Sequence, residues 1–172
     1  MTGDELRALQ APLKAKYKED PAAAQLVLKA RATLGPELTA IVETTRAPDG
    51  KTVAGLHPAT AGTGAEACSG DMLLQALVAC AGVTLRSVAT AMGIPVRSGA
   101  VLAEGDLDFR GTLGVSKEVP VGFSAVRLRF ELDTDATDEQ LAKLVQVTER
   151  YCVVAQTLRA AVQLTSTSGR KS

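Results

Sequence analysis

The chain carries no net charge, its 19 Lys and Arg being matched by 19 Asp and Glu. A protein that grips nucleic acid or an anionic bilayer needs a cationic surplus on one face, so neither partner is expected. Cysteine is scarce. Cys68, Cys80 and Cys152 are widely spaced, no CxxC occurs, and His57 is the single histidine. That excludes a disulfide framework and gives no Cys/His zinc pattern. The opening MTGDELRALQ lacks the basic-then-apolar layout of a secretory leader, which places the protein in the reducing cytoplasm. The longest charge-free apolar run, Met72 to Leu85, stops at Arg86, short of the ~20 residues that cross a bilayer; it reads as a buried core helix. The glycines at 62, 64, 70 and 82 precede no GK[ST], so no phosphate loop is expected.

What remains is a chain of 172 residues, 46% of them apolar, enough to bury one core. Leu6, Leu9, Leu13 and Tyr17 recur at helical spacing over residues 3–18. Asp20 and Pro21 then form a helix start for a second short helix carrying Leu26, Val27 and Ala30, stopped by Gly35 and Pro36. Thr39, Ile41, Val42, Thr44 and Thr45 favour a strand over 38–46, and APDG at 47–50 turns it into a partner at 51–56. Residues 57–70, rich in small and turn-forming side chains, make a loop. Ser69 is placed to cap the helix that follows, which Gly93 and Pro95 end. Alternation predicts half-buried strands over 101–109 and 126–132. Thr137 with Gln140 predicts a capping box, followed by a helix to about Arg150, another over 153–160, and a closing strand at 162–166. This order fits segregated α+β layers better than a wound parallel sheet.

The thiols admit two readings each. Cys80 sits among Leu77, Val78, Ala79, Ala81 and Val83, where cysteine serves either as a small core hydrophobe or as a reactive group. Cys152 falls where ERY passes into VVAQTLRAA; it is either structural or a thiol exposed to unpaired backbone N–H groups that favour the thiolate.

The segments GDMLLQALVACAGVTL at 70–85 and ERYCVVAQTL at 149–158 resemble the two cysteine motifs of the OsmC/Ohr family, the osmotically inducible and organic hydroperoxide resistance proteins. The resemblance runs over residues 36–167 and divides the chain into an N-terminal helical extension, 1–35, and an OsmC-like domain, 36–172. It implies antiparallel sheets wrapped around a buried central helix that bears the cysteine, and an intertwined homodimer with its active sites at the subunit interface. It further implies a thiol-dependent peroxidase for organic hydroperoxides, with Cys80 as peroxidatic thiol, Cys152 as resolving thiol and an external dithiol as reductant. No cofactor, flavin or metal is implied. An OsmC-like binding or redox-sensing protein with little turnover is the alternative, and a structural domain with two core cysteines is a third reading.

Relatives in the hydroperoxide branch activate the thiol with an Arg from the early hairpin and a Glu just before the cysteine helix. Here the matching Glu position is Gly70. Asp71 is not an easy replacement, because nine helical steps of ~100° set it opposite Cys80. Arg46 and Glu66 are the candidate activating pair, each also readable as a solvated surface charge. Val153 stands where a proline is common in the family, implying a softer kink after the second cysteine. Phe109, Phe123 and Tyr151 are candidate walls for a greasy peroxide. His57 reads as a loop residue, and Cys68 as either an incidental thiol or an alternative disulfide partner for Cys80.

Overall fold

The computed structural model describes residues 1–43, 50–160 and 162–170. Helix α1, Gly3–Glu19, opens with a capping box in which Thr2 accepts from the Glu5 amide and the Glu5 carboxylate accepts from the Thr2 amide at 2.8 Å. Only its first turns dock: the Arg7 guanidinium reaches the carbonyl of Ala91, and Gly3 lies against the carbonyl of Thr90. Leu9, Leu13 and Tyr17 remain exposed. The second helix expected through Ala30 is a single 3-10 turn, Pro21–Ala24, capped by Asp20. Leu26 and Val27 have no core to face there, and the chain instead extends into β1, Arg31–Leu34. The N-terminal stretch thus lends a strand to the sheet.

β1 pairs antiparallel with β2, Ala40–Glu43, which pairs antiparallel with β3, Lys51–Gly55. The expected hairpin pairing is present, while its turn and Arg46 lie outside the described residues. β4, Ala67–Cys68, adds to β3 in parallel, a departure from the all-antiparallel expectation. Helix α2, Ser69–Met92, follows directly. Cys68, not Ser69, holds the N-cap position and makes no side-chain capping bond, because the chain leaves β4 straight into the helix. At the other end Gly93 takes φ +67°, a left-handed turn that suits glycine; Ile94 N–H then returns to the carbonyl of Ala89 at 2.9 Å.

The second sheet is a long antiparallel pair, β5, Ser98–Asp106, and β6, Ala125–Asp133, with Val101 opposite Phe130 and Ala103 opposite Leu128. Phe109 lies outside the strand in which it was expected. Asp108 accepts from the Arg110 amide and starts a one-turn helix, α3, Phe109–Thr112. The inner face of this ribbon, Val101, Ala103, Leu128 and Phe130, packs against α2 and its neighbours. Its outer face carries the ion pairs of Arg127 with Glu104 and Asp106, and of Arg129 with Glu131. The strict alternation of strand side chains between two faces produces that division.

Helix α4, Asp138–Tyr151, begins with the expected Thr137/Gln140 capping box. Helix α5, Val153–Arg159, follows after one residue. The closing strand does not form among residues 162–170: Leu164 is 90% exposed, and no neighbouring strand gives its backbone a ladder.

The core has two parts along α2. Leu77 and Ala81 pack with Cys152 and Ala155; Leu85 and Ala89 pack with Leu144 and Ile94. The spacing 77, 81, 85, 89 is one helical stripe. The opposite face of α2 is open, with Val83 74% exposed. The helix is therefore buried along one side of this chain rather than all round. By length and composition alone it is the one helix among the described residues that could cross a membrane. Its packing against β5, α4 and α5 gives it the role of core helix.

Candidate active site

Cys80 borders the buried stripe of α2, adjacent to Ala81 and one turn past Leu77, and is partly exposed. Cys152 is fully buried. It is both the last cap of α4 and the first cap of α5, at φ −73° and ψ 107°. Its own N–H still bonds to the carbonyl of Thr148 at 2.9 Å, and its carbonyl accepts from the Gln156 amide at 2.9 Å. One extended residue between two helices leaves the first amides of α5 without intrahelical acceptors, and they are directed at the thiols. The break forms although Val153, not proline, follows the cysteine.

Burial works to raise the pKa of Cys80. It is outweighed by the amide of Val154, the thiol of Cys152, the hydroxyl of Thr84 and the amide of Val153, which together hold Cys80 below the ordinary thiol value. Cys152 is pushed up, chiefly by burial; the amide of Ala155 opposes this, while the proximity of Cys80 adds to it. A thiol biased toward thiolate thus lies beside one held protonated, both reduced. Such a pair is equipped for nucleophilic attack followed by internal disulfide formation.

Beside the pair runs a groove of about 490 Å³, walled by Leu73, Leu77, Phe123, Val126, Leu128, Ala155 and Leu158, with Glu149 and Arg159 on its polar side. Those two residues form an ion pair at 3.0 Å. Leu77 and Ala155 belong to the cluster that contains Cys152, so groove and thiols share a wall. Of the three candidate aromatic walls only Phe123 lines it. Phe109 stacks on His57 at 4.8 Å, and Tyr151 is exposed beneath the Arg150 guanidinium.

The other candidates lie elsewhere. Glu66 accepts from the Thr63 hydroxyl at 2.5 Å and lies against Gly55 in a separate groove near Glu37 and Leu56. Arg46 is outside the described residues. A side chain at Gly70 would meet the Phe123 ring at 3.4 Å and the Cys68 sulfur at 3.7 Å. His57 caps the turn Pro58–Thr60, its Nδ1 accepting from the Ala59 amide at 3.0 Å. The structure therefore brings Cys80 and Cys152 together and sets Glu66 apart. It also adds Thr84, whose place four residues after Cys80 was a readable signal, and the α5 amides, which leave no mark in side-chain identity.

The sequence model described as OsmC-like protein matches residues 62–167, from the loop before α2 through α5. The chain belongs to the OsmC-like family. Solved structures share its fold. An OsmC-like protein from Mycoplasma pneumoniae superposes with a TM-score of 0.66 at 14% identity, over 80% of this chain and 90% of that one. An organic hydroperoxide resistance protein OsmC from Legionella pneumophila gives 0.62 at 19% identity, over 78% and 92%. An organic hydroperoxide resistance protein from Elizabethkingia anophelis gives 0.63 at 15% identity, over 80% and 92%. No curated protein matches the sequence.

Proposed function

We propose that this OsmC-like protein is a cytoplasmic thiol-dependent peroxidase that reduces organic hydroperoxides through Cys80 and Cys152. The observation that carries the reading is the contact between two thiols of opposite bias. The Cys80 thiolate attacks the terminal oxygen of ROOH; the O–O bond breaks, RO⁻ takes up a proton and leaves as ROH, and Cys80 becomes a sulfenic acid. The Cys152 sulfur then attacks the Cys80 sulfur, hydroxide leaves with the Cys152 proton as water, and a disulfide forms. An external dithiol reduces it to two thiols and is itself oxidised to a disulfide. The groove that shares Leu77 and Ala155 with the thiol cluster offers Leu73, Phe123, Val126, Leu128 and Leu158 to the organic group of an alkyl or aryl peroxide, which hydrogen peroxide lacks.

A homodimer belongs to the same reading, because Val83 on α2 and Leu26, Val27, Leu34 and Leu38 stand in solvent in the single chain. We assign residues 36–172 to the OsmC-like domain and 1–35 to an extension that supplies α1 and β1. Arg46 and Glu66 are the charged residues we assign to activating Cys80, Glu66 by a movement of its loop away from Thr63.

Purified protein with cumene hydroperoxide and dithiothreitol is expected to consume peroxide, and Cys80→Ser to abolish consumption. A sulfenic-acid trap is expected to label Cys80, more strongly in Cys152→Ser. Absence of both consumption and label overturns the proposal. The alternative, a binding or redox-sensing protein, draws on Gly70 at the position of the expected acid and on Glu66 bonded to Thr63. It predicts one slow oxidation of Cys80 without turnover.

A further inference from the structure

We propose that Arg159 is a specificity-determining residue: it receives the carboxylate of an amphiphilic ligand whose apolar body lies in the groove beside the thiols, and Glu149 holds the place of that carboxylate until the ligand arrives. For the substrate this rests on the peroxidase reading and narrows it to a hydroperoxide that carries an acid group. Recognition of the acid itself does not depend on turnover.

The groove has a direction. Its inner end is Leu77 and Ala155, members of the cluster that holds Cys152 and borders Cys80. One turn further from the thiols come Leu73 on α2 and Leu158 on α5, and α5 ends on Arg159. An apolar chain laid along these walls with its reactive end at the thiols brings its other end to a guanidinium. Leu73, Val126 and Leu158 all reach solvent, so the walls offer apolar surface for such a chain to cover. The guanidinium is already matched to the head group, since it holds the Glu149 carboxylate at 3.0 Å and its planar fork accepts any carboxylate in the same way. Both partners are open to solvent, and an ion pair of that kind contributes little, so exchange of one carboxylate for another is cheap. Nor does the exchange strand Glu149. Together with Arg159 it lines a second cleft, of about 380 Å³, whose other charged walls are Lys143 and Arg150. Neither of these has a carboxylate partner among the described residues: Lys143 donates to the Gln146 side-chain oxygen at 3.0 Å, and Arg150 lies over the Tyr151 ring. Where the two clefts meet, three cations thus face one acid, in a chain whose charges cancel overall. A ligand anion at Arg159 supplies the charge that junction lacks.

The test is calorimetric titration of the reduced full chain with decanoate and with decanol, equal in length, different in charge and neither of them a peroxide. Decanoate is expected to bind about tenfold more tightly, the worth of one charge-assisted hydrogen bond. Arg159→Gln is expected to bring the acid down to the affinity of the alcohol and to leave the alcohol unchanged, while Arg159→Lys keeps part of the preference. Glu149→Gln removes the competing carboxylate and is expected to tighten decanoate binding several-fold, a gain that an ion pair serving stability alone would not give. If Arg159→Gln does not fold, the Glu149→Gln arm decides. The proposal is overturned by no binding of decanoate, by equal affinities in the unaltered chain, by a preference that survives Arg159→Gln, or by decanoate binding that Glu149→Gln fails to tighten. An Arg159-dependent preference without peroxide consumption sinks the peroxidase reading alone. Peroxide consumption without that preference sinks this inference alone.

Discussion

Cys80 and Cys152 meet with opposite protonation biases: the sulfur on α2 is drawn toward thiolate by Val154, Cys152, Thr84 and Val153, while its neighbour at the α4–α5 junction is kept protonated by burial. Two identical side chains are thereby given different chemical characters by position alone.

The first prediction follows from the sign of those shifts. Only the thiolate alkylates, so Cys80 is expected to react at a half-maximal pH below that of an ordinary thiol, its rate falling as pH drops through that point. Cys152, raised and fully buried, is expected to stay unmodified in the folded protein and to react after denaturation. Its folded-state pKa lies above the unfolded one, so its contribution to stability is complete below the unfolded value and is lost as pH rises through the folded value. Peptide-resolved alkylation across pH checks the order; Cys152 reacting first would reverse the assignment.

Reduction of the disulfide is expected to be regioselective. A thiolate must reach the sulfur it attacks, and Cys80 is partly exposed whereas Cys152 is not. A monothiol such as 2-mercaptoethanol is expected to bond to the Cys80 sulfur and expel Cys152 as thiolate. Acid quenching and mass spectrometry should find the adduct on Cys80; an adduct on Cys152 would contradict the access argument.

Thr148 and Leu144 occupy successive turns of α4, both fully buried, and the Thr148 hydroxyl has no hydrogen-bond partner among the described residues. An unpaired buried hydroxyl is unfavourable. Thr148→Val, similar in shape, is expected to stabilise the fold by about 1 kcal/mol. Leu144→Ala is expected to cost about 2–5 kcal/mol through the cavity it leaves. Urea denaturation measures both, and a destabilised valine variant would mean that the hydroxyl has a bonded partner in solution.

Gly105 lets Phe123 lie flat on β5, since a Cβ there would meet the ring at 2.6 Å. Gly105→Val is expected to displace the ring into the groove and raise KM for cumene hydroperoxide several-fold while leaving Cys80 alkylation unchanged. Equal KM values in steady-state assays would remove Phe123 from substrate binding.

Much of this architecture was readable from the sequence, and the failures are local. Sequence pattern located α2, α4 and the β5–β6 ribbon because each buries one face, and it located α1 although Leu9, Leu13 and Tyr17 stay exposed. It failed at Leu26–Ala30 and Val162–Ser166, where apolar residues recur at suitable intervals but meet neither core nor neighbouring strand among the described residues. Leu107 and Phe109 continued an alternation that Asp108 ends by capping a turn, a local bond that outweighs the pattern. At the candidate site, the two motifs singled out thiols that the fold sets side by side, while Glu66, chosen for its place in the loop before α2, lies in another groove. The α5 amides were invisible, because a backbone group exposed by a helix break has no residue type of its own.

That break carries a mechanical consequence. Cys152 terminates one helix and launches the next, so any pull on its side chain acts on both axes at once. A bond from it to Cys80 would fasten three rods at one rivet, turning a chemical event at one sulfur into a change in how freely α2, α4 and α5 move against one another.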